Sequence, residues 1–247
     1  PFLSMQERLE SLTQVSKSFQ NYVYHSIHKL HLHSDDQQLS ATQVIEKLPC
    51  VSDMKISFCE TFNDVSMRLV SSQLSQLKSL VITCCSNLTD LTPIFQLSKV
   101  QLLEISDCKN IRITTCDPNV PLSLKSLTIA NCGPAIDSPA IENFIRLSSG
   151  TIESLIIERM KHLTSITIPN CRNLKSISFR RCIILSELSL DGDNENETVS
   201  EIDLSYTAFS DETLARLLTQ TRFANLKDVN LEGCKHLVSP IVSGASI

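Results

Sequence analysis

A short apolar pattern recurs along the chain and limits the folds that it can adopt. The string L-x-x-L-x-L-x-x-C, with Ile, Val or Phe replacing some leucines, begins at Leu77 (LKSLVITCC), Leu124 (LKSLTIANC), Leu174 (LKSISFRRC) and Leu226 (LKDVNLEGC). Looser copies fill the gaps between these four. A period of about 20 to 30 residues indicates a stack of similar units rather than one irregular domain.

The middle apolar residue of each copy serves as its anchor. The anchors of coils one to nine are Leu30, Met54, Leu80, Leu103, Leu127, Leu155, Ile177, Ile202 and Val229. Every anchor has an apolar residue two positions later and another three positions earlier. This alternation predicts a short strand with one buried face, and stacked strands of this kind form a parallel sheet along one side of a solenoid. We therefore expect about nine coils.

Between residues 163 and 190 the period tightens to eleven, with apolar centres at Ile166, Ile177 and Leu188. Eleven extended residues span at most about 40 Å, which is too short for a full coil. We therefore expect Ile177 in the sheet, and Ile166 and Leu188 in strands on the opposite, convex side. Elsewhere the convex side is predicted to be helical, in DVSMRLVSSQLSQ from Asp64, SPAIENFIRLSS from Ser138 and SDETLARLLTQ from Ser210.

The cysteines follow the same repeat. Six of the ten stand five positions after an anchor: Cys59, Cys85, Cys108, Cys132, Cys182 and Cys234. A small side chain with a weak S–H donor suits a buried strand end that faces loop carbonyls, so we interpret these residues as structural, reduced thiols. The chain has no Cys-x-x-Cys pair. His31 and His33 share a face but lack a third ligand, so neither a metal site nor a cofactor is predicted.

Composition excludes several functional classes. The net charge is −5 and the sequence shows no clustered basic excess, which argues against nucleic-acid and membrane-surface partners. It also contains no apolar run of about 20 residues and no signal peptide, which favours a soluble protein of the cytoplasm or nucleus. Glycine-rich phosphate loops and Gly-x-Ser-x-Gly motifs are missing, so we do not expect an enzyme.

The repeat, with helix openings at Asn63-Asp64 and Ser210-Asp211, resembles the cysteine-containing leucine-rich repeats of F-box proteins. The resemblance implies an α/β fold, a leucine-rich-repeat solenoid of the right-handed horseshoe type over residues 27–247. It also implies a parallel sheet on the concave face and a short helical cap at the N-terminus.

Residues 1–26 look like the later part of an F-box, whose leucine helix and Val-Ser-Lys-x-Phe signature are matched by Leu9, Leu12, Val15 and Phe19. The resemblance implies that these four residues bind a cullin-ligase adaptor subunit. Their helical spacing fits equally a cap that only shields the first coil. Both interpretations remain open, as partial F-box or as N-terminal cap.

Side chains that flank the buried strand positions point onto the concave face, the default binding surface of a solenoid. The charged residues expected there to bind a protein are Lys29, His31, His33, Lys55, Glu104, Glu158, Arg180, Glu201, Asp203, Asp228 and Glu232. The face runs from basic and histidine-rich at the first coils to acidic at the last. We therefore predict a protein partner with a basic segment near the late coils.

The resemblance implies that the chain is the substrate-recognition arm of an F-box ubiquitin ligase receptor. One alternative is a ligase-independent repeat scaffold or regulator whose N-terminal helix only caps the array. Another is a secreted recognition receptor, which would require a signal peptide and disulfide-bonded caps.

Overall fold

The computed structural model describes residues 22, 24–33, 40–113, 120–191, 198–219 and 225–238. Over these residues the chain folds as a solenoid with one nine-stranded parallel sheet. Each anchor pairs in register with the anchor of the next coil, from Leu30 with Met54 to Ile202 with Val229. The predicted α/β leucine-rich-repeat solenoid of about nine coils is thereby confirmed.

The elements, in chain order, are β1 (Lys29–His33), α1 (Ala41–Lys47), β2 (Asp53–Ser57), α2 (Asp64–Gln73), β3 (Ser79–Thr83), a 3₁₀ helix (Thr92–Gln96), β4 (Leu102–Ser106), β5 (Ser126–Ala130), α3 (Ser138–Leu147), β6 (Ser154–Glu158), β7 (Ser165–Ile168), β8 (Ser176–Ser178), β9 (Glu187–Leu190), β10 (Glu201–Asp203), α4 (Asp211–Leu218) and β11 (Asp228–Asn230). The order in the main sheet is β1-β2-β3-β4-β5-β6-β8-β10-β11.

The hydrophobic core is a continuous column beneath this sheet. Every anchor residue from Leu30 to Ile202 is at most 2% exposed, and its apolar neighbour two positions later is at most 3% exposed. Full burial of one such aliphatic side chain stabilises the fold by about 1.5 to 3 kcal/mol. Repeated burial at two strand positions per coil therefore holds the strands in this register.

The predicted convex helices are present, although each ends a few residues earlier than its apolar pattern. The side chain of Asn63 accepts hydrogen bonds from the backbone N–H groups of Val65 and Ser66 at the start of α2. Ser210 caps α4 by accepting from the N–H of Thr213, as expected for a helix N-terminus.

Helix α1 was not among the predicted elements. Its start carries a capping box in which Ser40 accepts from the N–H of Gln43 and the Gln43 side chain accepts from the N–H of Ser40. This Ser-x-x-Gln signal was visible in the sequence. The helix is only seven residues long, so its periodic signal is weak.

The predicted arrangement of residues 163–190, with strands alternating between the convex side and the main sheet, is confirmed. Ile177 lies in β8 of the main sheet, whereas Ile166 and Leu188 are paired register neighbours in the separate parallel sheet of β7 and β9. All three are at most 6% exposed. At this point two strand layers face each other across the core.

The six repeat cysteines are buried, and among the described residues all nine cysteines are free thiols. In coils five, seven and nine the sulfur donates to a carbonyl oxygen of the preceding sheet strand or strand end: Cys132 to Ile105 at 3.6 Å, Cys182 to Ile157 at 3.3 Å and Cys234 to Leu204 at 3.0 Å. Their predicted structural role, facing backbone carbonyls at the strand end, is confirmed.

Carboxylates at the start of the convex helices connect successive coils. The Asp64 carboxylate accepts hydrogen bonds from the N–H and hydroxyl of Thr89, both at 2.7 Å, and from the N–H of Asp90 at 2.9 Å. At the matching place in α4, the Asp211 carboxylate accepts from the N–H of Val238. The aspartate of the helix opening therefore fixes the backbone of the next coil.

Candidate protein-binding surface

The concave face displays most of the residues that the sequence predicts for partner binding. Those that lie on strands of the main sheet, all exposed or half-buried, are Lys29, His31, His33, Lys55, Glu104, Glu158, Glu201, Asp203 and Asp228. The remaining two, Arg180 and Glu232, lie in the turns that follow β8 and β11. They stand at the edge of the face rather than on its strands.

The late coils bring three acidic side chains together. The sheet register places Glu201 beside Asp228, and Asp203 lies two residues from Glu201 on the same face. They line a concavity of about 340 Å³, whose floor includes Ile156 and Ser176. Adjacent strands are only about 4.8 Å apart, so these carboxylates repel one another until a cation approaches. We call this site the acidic concavity.

The first two coils bring the basic and histidine residues together. Lys29 lies beside Asp53, and His31 lies beside Lys55 in the sheet register. The His33 ring stands edge-on to the His31 ring, with centroids 6.4 Å apart. Between the two ends of the face, Glu104 and Glu158 pair with neutral neighbours and join neither group. The charges are therefore concentrated at the two ends.

A row of residues with positive φ follows the strands and was not predicted from the sequence. Four positions after the anchors of coils two to nine stand Phe58, Cys84, Asp107, Asn131, Arg159, Arg181, Tyr206 and Gly233, with φ between 49° and 69°. Only the last of them is glycine, the residue that marks this conformation most clearly in a sequence. We call this row the strand-end rim.

Backbone hydrogen bonds between coils hold the strand-end rim in place. In coils two to eight, the N–H of the rim residue donates to the carbonyl of the residue three positions after the next anchor, as Phe58 does to Thr83 at 3.0 Å. The same bond recurs from Asn131 to Glu158 at 2.9 Å. These backbone hydrogen bonds offset a positive φ that costs about 1 to 2 kcal/mol in a non-glycine residue.

The rim side chains also interact with each other. Arg159 approaches the Asp107 carboxylate at 3.9 Å, and the Arg181 guanidinium lies 5.6 Å from the centroid of the Tyr206 ring. The Tyr206 hydroxyl donates to Glu232 at 2.6 Å, and this hydrogen bond, together with the negative charge, raises the pKa of Tyr206. Exposed aromatic and arginine side chains are residues that protein interfaces favour.

The predicted adaptor-binding residues Leu9, Leu12, Val15 and Phe19 lie outside the described residues. Within the described ranges, no group of three His, Cys, Asp or Glu side chains is arranged to hold a metal ion. Over the same ranges, no helix is long and apolar enough to cross a membrane.

No family model and no curated protein match this chain. Among solved structures, it is similar to a chain of the Rad7–Elc1 complex from yeast, at 15% identity and a TM-score of 0.43, over 93% of this chain and 75% of the other. It is also similar to the internalin InlF of Listeria monocytogenes, at 15% identity and a TM-score of 0.38, over 95% and 90% of the two chains. A chain of the octameric complex of Latrophilin 3, Unc5D and FLRT2 is similar over 84% and 75%, at 15% identity and a TM-score of 0.36. The nine-coil register itself shows the leucine-rich-repeat solenoid fold.

Proposed function

We propose that the chain is the protein-recognition arm of an F-box ubiquitin ligase receptor. The observation that carries the recognition role is the open concave face of the nine-stranded sheet, with charged side chains at both ends. A solenoid face of this kind offers a long, rigid platform for a partner. The transfer chemistry then belongs to other subunits, and this chain supplies proximity.

The partner that fits the late coils is a protein segment with lysine or arginine side chains. Glu201 and Asp228 lie side by side on adjacent strands, so each carboxylate raises the electrostatic energy of the other. A cationic side chain seated between them relieves this repulsion and forms charge-assisted hydrogen bonds. Complementary charge also fixes the direction in which the segment lies along the face.

The ligase assignment is supported by the resemblance of residues 1–26 to an F-box. In this proposal Leu9, Leu12, Val15 and Phe19 contact the adaptor while the coils hold the substrate. A cytoplasmic or nuclear location fits the nine free thiols of the described ranges, because such thiols persist in reducing compartments. Cell fractionation that recovers the protein only in a secreted fraction would contradict this location.

The recognition role is tested by removing charge from the acidic concavity. Proteins that the intact protein captures in cells are identified by mass spectrometry and purified. Their affinity for the intact protein and for its variants is then measured. The double variant Glu201→Gln with Asp228→Asn should weaken such a partner about tenfold or more. The matched control, Glu60→Gln with Glu187→Gln, removes the same charge from exposed sites off the concave face. Equal loss in both double variants would contradict a site in the concavity.

The ligase role is tested by co-purifying the full-length protein with a cullin-ligase adaptor. We expect a complex that Val15→Asp and Phe19→Asp abolish while the circular dichroism spectrum of the repeats stays unchanged. A full-length protein that binds a partner on its concave face and no adaptor would establish the ligase-independent scaffold instead.

A further inference from the structure

A basic pocket of about 390 Å³ opens beside the ends of the strands in coils four to six, away from the acidic concavity. Residues that line it include Lys109, Asn131, Gly133, Arg159, Lys161 and His162. Its lining contains three cationic side chains and no acidic one. It is a local exception to the acidic balance of the whole chain.

The charges of the basic pocket are largely uncompensated. Lys109 and Lys161 are exposed, and their ammonium groups make no ion pair or hydrogen bond within the described ranges. Arg159 lies 3.9 Å from Asp107, which also accepts a hydrogen bond from the Asn131 amide. With one carboxylate set against three cations, an excess of two positive charges remains.

Coil stacking creates the pocket. Lys109 and Lys161 both stand six positions after an anchor, in coils four and six, so two strand spacings of about 4.8 Å each separate their backbones. Gly133 takes the same position in coil five, between them. A Cβ on Gly133 would lie 2.0 Å from the Lys109 carbonyl oxygen, so only glycine allows this close approach. The missing side chain leaves the space between the two lysines open.

We propose that the basic pocket binds the phosphate of a phosphorylated side chain on the protein that the solenoid recognises; the protein source of this phosphate rests on the proposed function. A phosphate monoester carries close to two negative charges and three acceptor oxygens. The excess of two positive charges matches this dianion. A carboxylate would leave one of these charges uncompensated.

The donors of the pocket differ in a way that suits this ligand. Arg159 presents a planar fork that bonds two phosphate oxygens at once, and the flexible lysines act as point charges from either side. His162 is held against the wall, because its Nε2 donates to the carbonyl of Ile136 at 2.9 Å. The bound phosphate would face the rim, within reach of a segment that lies across the neighbouring strands.

The test measures binding of the full chain to a degenerate peptide library centred on phosphoserine and to the same library centred on serine. We expect the phosphorylated library to bind about tenfold more tightly, since a dianion forms several charge-assisted hydrogen bonds. The double variant Lys109→Gln with Lys161→Gln should lose this preference. The matched control, Lys78→Gln with Lys125→Gln, removes the same charge from exposed lysines that precede the strands, and should keep it.

Three results would overturn the proposal. They are equal affinity for the two libraries, equal loss in both double variants, and a single-stranded RNA of matched charge that binds more tightly than the phosphopeptides through the same lysines. Capture of partners on the concave face is measured separately, so that a failure of the basic pocket leaves the proposed function standing. Unchanged melting temperatures would show that the variants remain folded.

Discussion

The two halves of the sheet differ although they share one repeat. Strands β1 to β6 are five residues long, whereas β8, β10 and β11 are three residues long. In the late coils, the residue after the anchor is Asp203 or Asn230, and its side chain accepts a hydrogen bond from the N–H two positions later, in Ser205 or Glu232. Such a bond favours a turn over a strand.

In three of the six early coils the same position holds a residue that favours an extended chain. Val81, Thr128 and Ile156 are β-branched, and such side chains fit a pleated strand. The side chain one position after the anchor therefore shortens the strand in coils eight and nine. In coil eight it also supplies charge, because the turn-forming Asp203 is one of the three carboxylates of the acidic concavity. Four predictions test this contrast between the halves.

Alanine substitutions at the two glycines of the coil ends should differ most in their effect on the free energy of unfolding. In coil five, Gly133→Ala would place a Cβ 2.0 Å from a backbone carbonyl, so the chain must move, and we expect a loss of about 3 kcal/mol or more in the free energy of unfolding. In coil nine, Gly233→Ala retains a φ of +69° and places its Cβ 2.5 Å from the Tyr206 ring, a side chain that can move if it gives up its hydrogen bond to Glu232. It should cost about 1 to 2 kcal/mol. Urea unfolding measures both, and equal losses would contradict the contrast.

Alanine substitutions at the two aspartates that connect coils should differ less in their effect on the free energy of unfolding. Asp64→Ala removes the acceptor of three hydrogen bonds and should cost about 2 kcal/mol, whereas Asp211→Ala should cost about 1 kcal/mol or less. Burial raises the pKa of Asp64, but hydrogen bonds from Thr89 and Asp90 outweigh this effect and hold it below its ordinary value of 3.8.

Because the folded-state pKa of Asp64 is lowered, its contribution to stability is present above pH 3.8 and is lost as the pH falls through the folded value. Asp64→Ala should therefore flatten the acid limb of a plot of unfolding free energy against pH. If the variant and the wild type had the same acid limb, the lowered folded-state pKa of Asp64 would be contradicted.

Two of the repeat cysteines, Cys132 in coil five and Cys182 in coil seven, should produce an alkaline slope in a plot of stability against pH. Burial raises the pKa of Cys132 to about 12 and that of Cys182 to about 11. Above pH 9 the unfolded chain loses protons that the folded chain keeps, so each thiol lowers stability by about 1.4 kcal/mol per pH unit up to its folded pKa. Cys182→Ala should remove a slope that ends near pH 11, and Cys132→Ala one that continues to about pH 12. Denaturant midpoints measured from pH 8 to 11.5 provide the check.

The smallest effect is expected from exchanging the residues that set strand length. Asp203→Val should lengthen β10 and change the rate of amide exchange at Ser205, with a stability change within about 0.5 kcal/mol because the site is half-buried. The reverse change, Thr128→Asp, should shorten β5. Unaltered exchange at Ser205 would show that the side chain does not control the end of the strand.

Much of the fold could be predicted because burial repeats locally. The anchors and their neighbours two positions later are apolar in every coil, and an alternating pattern of this kind allows one face only to be buried. The eleven-residue spacing placed Ile166 and Leu188 opposite the sheet through chain length alone. The structural role of the six repeat cysteines could be predicted for the same reason, because they keep a constant distance from the anchor.

The sequence by itself determined the register, the number of coils and the identity of the concave residues, since each depends on spacing along the chain. Only the tertiary structure decided the strand-end rim and the basic pocket. Phe58 and Tyr206 adopt positive φ because the next coil accepts their N–H groups. Lys109 and Lys161 belong to one pocket because Gly133 lets coil five pack closely between them. These features depend on contacts between coils, which no local pattern of residue types encodes.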